Sequence, residues 1–370
     1  MIRLPAPSPP TKLTILETVD IVYKLTKALL GGAAAAVKFP FLGDRAAKRY
    51  RTHITHAVLR KLSSQTTVRQ SQVGSTTASY EKYAKSRGIT PRTVSWETGH
   101  GHWIGDSDAT KVLVWFHGGG YYAPASTAHF RFLEDVVHAV CQSGKEKGFA
   151  AFVPSYTLAP HARYPAQLHK GLEVLQYLVQ GEGKALKNIV IGGDSAGGNL
   201  VLGILSHMSH PHPHPDLAEF DPESSTSIAA GSLRGALLLS PWVSNDRSWA
   251  SVQRNGLKDC VTTVPTDISA EHFLADDGGW DNYNEPIRAP EGWWADIKCR
   301  NMLIVSGEDE IMTDAHKAFG RTVQAASPGK TEIAVAPGEG HAAPILDLML
   351  GDRSEFQSAK YIKAWLWFVL

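Results

Sequence analysis

Short apolar runs alternate with longer amphipathic segments from Lys111 to the C-terminus, and this alternation constrains the fold more than any other feature. The run KVLVWF (111–116) has the length and the β-branched content of a buried strand. The segment 126–143 that follows places apolar residues at helical spacing after a serine that can cap it. The same pair of patterns recurs at 188–193 and 196–208. Alternating strands and helices predict an α/β fold, with a mostly parallel sheet covered by helices on both faces.

Two regions interrupt this rhythm. Residues 1–95 carry helical patterns and few strand signals, and residues 244–297 are rich in Trp, Asn, Asp and Pro. We therefore expect an α/β core formed by 96–243 and 298–370, with 244–297 inserted as a cap. The N-terminal segment is expected to contribute helices to the same cap.

Composition excludes several classes of function. The formal net charge is +1 and no long block of one sign occurs, so nothing indicates a nucleic-acid partner. Three widely spaced cysteines fit a reducing compartment better than a disulfide framework, which predicts a cytoplasmic protein. No ligand spacing indicates a metal, and no organic cofactor is expected.

The N-terminal segment also bears on localisation. The apolar stretch 27–37 is shorter than the roughly 20 residues that a membrane-spanning helix needs. A helix that covers part of the core is the simpler interpretation. The alternative is peripheral membrane contact through the apolar face of residues 13–42, and the sequence does not indicate the oligomeric state.

The most specific local motif is Gly193-Asp194-Ser195-Ala196-Gly197, a G-x-S-x-G pentapeptide between a predicted strand and a predicted helix. This context is required for a nucleophile elbow, in which a strained turn lifts the serine hydroxyl above the sheet. Glycines flank the serine because larger side chains would collide with the neighbouring elements. The elbow predicts Ser195 as a nucleophile and aims the amide of Ala196 at the reacting oxygen.

A second glycine-rich motif, HGGGYY at 117–122, follows the predicted strand 111–116. Consecutive glycines leave backbone N–H groups unscreened, and a tetrahedral oxyanion needs two or three such donors. Gly118, Gly119 and Gly120 are therefore candidates for an oxyanion hole together with the elbow amide. A flexible loop would not explain why both motifs occur in this order.

A nucleophilic serine needs a base, and the base needs an acid to orient it. His341 lies in a loop beyond a predicted strand near the C-terminus, where the base of this fold is expected. The acid is ambiguous, because Glu308, Asp309 and Glu310 follow the preceding strand and spacing alone does not choose among them.

These motifs resemble those of the hormone-sensitive-lipase-like branch of the α/β-hydrolases, and most of all its fungal members. The resemblance runs from about residue 40 to the C-terminus, and it rests on HGGGYY, YTLAPHARYP, GGDSAGGNL, SPWV, GEDEIMTD and GEGH. Aligning the family's acid motif D-P-L-x-D on Asp314 puts the acid at Glu310, with Asp309 as the alternative. The resemblance also implies a cap, oxyanion amides from Gly119, Gly120 and Ala196, and substrate contacts from Tyr121 and Tyr122.

The function implied is hydrolysis of a carboxylic ester, such as an acyl ester, an acetyl ester or a lactone, on a small-molecule substrate. Two alternatives remain. The same site performs acyl transfer, dehydration or cyclisation in relatives of this fold, and some relatives are small-molecule receptors that have lost a triad residue. All three triad residue types are present here, which argues against a receptor.

Overall fold

The computed structural model describes residues 12–142, 148–220, 231–275, 278–327 and 330–370. Parts of the predicted segments, including 1–11 in the N-terminal segment, 143 at the end of a predicted helix and 276–277 in the cap, lie outside the described residues. The strands are β1 (Thr93–Trp96), β2 (Gly99–Ile104), β3 (Lys111–Phe116), β4 (Phe149–Ser155), β5 (Ile189–Asp194), β6 (Gly235–Leu239), β7 (Met302–Gly307) and β8 (Thr331–Ala336).

These strands form one sheet in the order β1-β2-β4-β3-β5-β6-β7-β8. The pairs from β4 to β8 are parallel, whereas β1 and β2 are antiparallel to their neighbours. The expected mostly parallel α/β sheet is therefore confirmed. Because β5, β6, β7 and β8 are adjacent and parallel, the loops that follow them meet at one edge of the sheet.

Helices cover both faces of this sheet, as the alternating pattern predicts. They are α1 (Ile15–Lys38), α2 (Tyr50–Ser63), α3 (Val68–Ser71), α4 (Thr76–Arg87), α5 (Thr127–Gln142), α6 (Ala166–Gln176), α7 (Ala196–Ser209), α8 (Ala250–Asn255), α9 (Thr263–Phe273), α10 (Thr313–Ala326), α11 (Ala343–Met349) and α12 (Gln357–Val369). Alternate side chains of β3 enter different cores: Val114 packs with residues of α6, α7 and α10, whereas Trp115 packs with residues of α5, α11 and α12.

Strands β1 and β2, at one end of the sheet, have no counterpart among the predicted strands, and the predicted boundary between residues 95 and 96 falls within β1. The sequence GHGHWI of β2 has little β-branched content, and strand propensity therefore does not predict this strand. Its glycines are packing residues: a Cβ on Gly101 would collide with the ring of Phe152 on the neighbouring strand.

The N-terminal helices lie beside the segment 244–297. Helix α1 packs on α2 through Ala28 and Gly32, where an added Cβ would lie 2.5 Å from Val58 Cγ2. In turn, α2 reaches the segment 244–297 through His56, whose Nδ1 is 2.8 Å from the carbonyl oxygen of Lys258. None of the helices in the described part of the chain combines the length and apolarity needed to cross a bilayer.

Candidate active site

Ser195 occupies a strained turn between β5 and α7. Its φ and ψ are 53° and −118°, in a region that residues with a Cβ rarely adopt. The flanking glycines are sterically required. A Cβ on Gly193 would lie 2.5 Å from the carbonyl carbon of Gly197, and one on Gly197 would collide with the carbonyl oxygen of Phe116. The predicted strand, turn and helix are thus all present around Ser195.

The glycine loop 118–120 lies directly against this turn. Gly119 and Gly120 have φ of 109° and 59°, which favours glycine, and a Cβ on Gly118 would collide with the carboxylate of Asp194. The amide of Gly118 also donates a hydrogen bond to Asp194. Trp115 Nε1 donates to the same carboxylate at 3.0 Å. The buried Asp194 therefore ties the glycine loop to the turn that carries the serine.

The structure brings His341 and Glu310 together. His341 Nδ1 lies 3.0 Å from Glu310 Oε2, and both side chains are buried. The other oxygen of Glu310 accepts hydrogen bonds from Ser240 Oγ at 2.7 Å and from the amide of Gly307. This arrangement places the proton of His341 on Nδ1 and leaves Nε2 as the acceptor.

The other candidate acids point elsewhere. Glu308 Oε2 pairs with Lys48 Nζ at 3.0 Å, and Asp309 Oδ1 pairs with Lys258 Nζ at 3.2 Å. Neither carboxylate has a hydrogen bond to the imidazole. The three consecutive acids thus face three different partners. The spacing in the sequence could not decide which of them faces His341.

Burial and pairing shift the pKa values of His341 and Glu310. Burial alone lowers the pKa of His341, but the hydrogen bond to Glu310 and the nearby negative charges outweigh it and raise that pKa above its ordinary value. For Glu310, burial raises the pKa, but the charge of His316 and the bonds to His341 and Ser240 outweigh it and lower that pKa below its ordinary value. The pair therefore favours an ionised acid beside a basic imidazole.

The end of β6 connects the elbow to this pair. The amide of Ser195 donates to the carbonyl oxygen of Leu239 at 3.0 Å. The next residue, Ser240, donates to Glu310 and accepts the amide hydrogen of Ala342 at 3.0 Å. No hydrogen bond joins Ser195 to His341 among the described residues, and such bonds often form only when substrate binds.

Sequence reasoning missed the residues that hold Glu310. Ser240 follows β6 inside the motif SPWV, and His316 lies on α10 with Nδ1 2.9 Å from Ser306 Oγ and Nε2 2.8 Å from the carbonyl oxygen of Pro241. Ser240 could have been found from the motif SPWV, which follows a predicted strand, whereas no local pattern marks His316 on α10.

The two tyrosines of the glycine loop differ in their surroundings. Tyr121 is buried, stacks on Phe273 with ring centroids 4.1 Å apart, and donates from its hydroxyl to Asn199 Oδ1 at 2.7 Å. It also borders a small cavity beside α6, α7 and α9. Tyr122 is only partly buried, next to Gly120. Helix α9 covers this loop, since a Cβ on Gly120 would collide with the hydroxyl of Ser269.

Comparison with known proteins identifies the family. Residues 113–345 match the sequence model of a family described as alpha/beta hydrolase fold. Steryl acetyl hydrolase 1 of Saccharomyces cerevisiae is 27% identical over 239 residues, which cover 60% of this chain and 50% of that protein. A putative acetyl-hydrolase, LipR, of Mycobacterium tuberculosis is 40% identical over 93 residues, 25% of this chain and 28% of that protein. The chain thus matches half or less of the length of these two curated relatives.

Solved structures share the fold. An esterase from the bacterial hormone-sensitive lipase family has a TM-score of 0.60 and 21% identity, with 87% of this chain and 98% of that chain covered. Carboxyl esterase 2 from the mycorrhizal fungus Tuber melanosporum has a TM-score of 0.58 and 19% identity, with 76% and 86% covered. The chain therefore belongs to the alpha/beta hydrolase fold family, and the hormone-sensitive-lipase likeness expected from its motifs is confirmed at the level of the fold.

Proposed function

We propose that the protein is a serine carboxylic-ester hydrolase. The observation that carries this proposal is the buried contact between His341 Nδ1 and Glu310 Oε2, at the sheet edge where the elbow presents Ser195. Orienting an imidazole by a buried carboxylate serves a base that must take a proton from a hydroxyl. The names of the related acetyl hydrolases and esterases support the same reaction.

The proposed mechanism is acyl transfer through the serine. His341 Nε2 accepts the Ser195 proton as Ser195 Oγ attacks the ester carbonyl, while Glu310 stabilises the imidazolium. The amides of Gly119, Gly120 and Ala196 donate to the oxyanion, and Gly118 shapes the loop. The imidazolium then protonates the leaving alcohol. Water, deprotonated by the same imidazole, cleaves the acyl-enzyme and releases a carboxylic acid.

Small acyl esters are the proposed substrates, with acetyl esters of apolar alcohols first among them. The yeast and mycobacterial relatives are named as acetyl hydrolases, which supports a short acyl group. Tyr121 is held under the glycine loop by its stacking on Phe273 and its hydrogen bond to Asn199. We propose that Tyr121 bounds the substrate site from below and that Tyr122 contacts the substrate directly.

Hydrolysis of p-nitrophenyl esters from acetate to laurate tests this function. We expect the highest kcat/KM for the short esters and a loss of at least about 10³-fold in Ser195→Ala. A fluorophosphonate should label wild type at Ser195 and leave Ser195→Ala unlabelled. Labelling without hydrolysis would favour a non-hydrolytic acyl transfer, and neither labelling nor hydrolysis would favour a receptor.

We also propose that the N-terminal helices and the segment 244–297 form one cap over the site. The support is twofold: α9 lies on Gly120, and His56 of α2 joins the segment 244–297 through Lys258. A cap of this kind excludes water from the acyl-enzyme until the alcohol has left.

Helix α1 of this cap favours a peripheral contact with a membrane surface. Every exposed position of α1 carries an aliphatic residue, tyrosine, threonine or lysine, and Ile15, Leu30 and Val37 are 84%, 66% and 72% exposed. Its two carboxylates turn away from this face: Glu17 pairs with Arg69 and Asp20 accepts a hydrogen bond from Gln70.

An apolar face bordered by the exposed Lys27 and Lys38 matches an anionic lipid surface, so we propose a cytoplasmic protein that binds one. Co-sedimentation with phosphatidylcholine vesicles, with and without phosphatidylserine, tests this. Leu30→Glu should abolish binding, whereas Thr322→Glu, at an exposed position of α10, should not. Absence of binding together with a dimer that Leu30→Glu dissociates would show that a second copy covers this face. Hydrolysis of a soluble ester should be unchanged in both variants.

A further inference from the structure

A carboxylate from the segment 244–297 reaches into the loops of the proposed triad. Asp259 lies between α8 and α9 and is fully buried. Its Oδ1 accepts the amide hydrogens of His341 at 2.9 Å and of Cys260 at 2.7 Å. Its Oδ2 accepts the amide hydrogen of Ile311 at 2.8 Å. One side chain thus binds the backbone of the proposed base and of the residue that follows the proposed acid.

The stretch around Asp259 is itself fixed to the acid loop. Asn255 Nδ2 donates to the carbonyl oxygens of Glu308 at 2.9 Å and of Glu310 at 2.7 Å. Arg60 of α2 donates to the backbone carbonyl of Asp259. The backbone on both sides of Glu310 is therefore hydrogen-bonded to residues 255–259. The carboxylate of Asp259 adds a hydrogen bond from the same segment to the backbone of His341.

We infer that Asp259 is a positioning residue, which holds the loops of Glu310 and His341 at the separation that lets their side chains meet. This inference rests on the proposed function of that pair. It makes the segment 244–297 part of the catalytic framework as well as a cover over the site. A carboxylate suits this task because its two oxygens can accept from both loops at once, which no neutral side chain of the same shape does.

The substitution Asp259→Asn separates this role from ordinary packing. Asp259→Asn keeps the shape but replaces one acceptor oxygen with an NH₂ group, which must face an amide N–H of one loop. One loop then loses its anchor and the imidazole moves relative to the serine. Because misplacement by about 1 Å can cost roughly 10²-fold, we expect kcat to fall by about that factor while KM changes by less than about threefold.

The pH profile gives a readout that a purely structural role would not move. The titratable groups that act on the imidazole of His341 are Glu310, Asp259, Asp194 and His316. The thiol of Cys260 lies 3.7 Å from the carbonyl oxygen of His341, and His56 lies beside the preceding Gly340. Burial lowers the pKa of His341, whereas Glu310 and then Asp259 and Asp194 raise it. Removing the charge of Asp259 should therefore lower the pKa of His341 and move the acidic limb of kcat/KM to lower pH.

Glu173→Gln is the matched control. Glu173 is a buried carboxylate on α6 that accepts hydrogen bonds from Lys170 at 2.8 Å and from Trp96 and Thr98, away from both loops. Both variants are compared at temperatures well below their measured Tm, with folding checked by circular dichroism. We expect only Asp259→Asn to lose kcat, to react more slowly with the fluorophosphonate and to shift the acidic limb. Wild-type kcat and an unmoved limb in Asp259→Asn would overturn the inference, as would equal losses in both variants.

Titration of His341 by NMR follows the same coupling without turnover. A lower pKa of His341 in Asp259→Asn than in wild type is expected, and an unchanged value would contradict the role of Asp259. If wild type and Ser195→Ala are equally inactive on all esters, the proposed hydrolysis fails. The NMR comparison then still decides whether Asp259 acts on His341.

Discussion

Replacing Glu310 by glutamine should disable the proposed base through its tautomer. The two donors that hold Glu310 Oε1, the hydroxyl of Ser240 and the amide of Gly307, would retain the amide oxygen of the glutamine at that place. The NH₂ group would then face His341 Nδ1, which must become an acceptor. The imidazole proton would move to Nε2, where it cannot accept the proton of Ser195.

The expected loss follows from this wrong tautomer, which costs about 10⁴-fold in kcat in a serine protease whose geometry is preserved. We expect Glu310→Gln to lose roughly 10³–10⁴-fold in kcat on p-nitrophenyl acetate, with a small change in KM. The residual acidic limb should shift to lower pH, because Glu310 raises the pKa of His341 in wild type.

Asp309→Asn provides the control for this experiment. Asp309 is as buried as a core residue, but its carboxylate faces Lys258 at 3.2 Å. Its removal should leave kcat within about threefold of wild type, since it makes no contact with the imidazole. If Asp309→Asn loses more activity than Glu310→Gln, or if Glu310→Gln stays within tenfold of wild type, the assignment of the acid is wrong.

Two glycine substitutions test the framework around the serine. Gly119→Ala places a Cβ at a φ of 109° and 2.8 Å from the carbonyl oxygen of Ala123, so the loop must shift. Because this shift moves a proposed oxyanion donor, kcat should fall by about 10²–10³-fold while the fold is retained. Gly197→Ala forces a Cβ onto the carbonyl of Phe116 at the end of β3, and overpacking of this kind should cost about 1–3 kcal/mol in the free energy of unfolding, measured by urea titration. Gly279→Ala is the control for both, because a Cβ there meets no atom within 4 Å. An unchanged kcat in Gly119→Ala, or equal stability of Gly197→Ala and Gly279→Ala, would contradict this reasoning.

The predictions from sequence were strongest where chemistry depends on neighbouring residues. The elbow around Ser195 and the loop 118–120 are fixed by glycines adjacent in the chain, and the backbone conformations that require them are found there. The position of His341 beyond β8 also followed from a local strand pattern. Short-range steric requirements leave a signature in the sequence, which is why these residues could be located.

The identity of the acid depended on long-range packing. Glu308, Asp309 and Glu310 are equivalent by spacing, and they are distinguished by Lys48, Lys258 and Ser240, which come from distant parts of the chain. Asp259 illustrates the same limit, because its partners lie 52 and 82 residues away. A single sequence carries no pattern for such contacts. The resemblance to the family did choose Glu310, the carboxylate that contacts the imidazole.

The carboxylate of Asp194 has a further consequence for motion. It receives hydrogen bonds from Trp115 on β3 and from the amide of Gly118, and it directly precedes Ser195. The serine turn and the glycine loop therefore share one anchor, and opening either of them breaks the bonds of the other. In native-state hydrogen exchange, the amides of Gly118 and Ser195, which donate to Asp194 and Leu239, should open as one cooperative unit, with similar free energies of opening. Such a unit would keep the proposed oxyanion donors aligned with Ser195 during thermal fluctuation, because the two parts could not move independently.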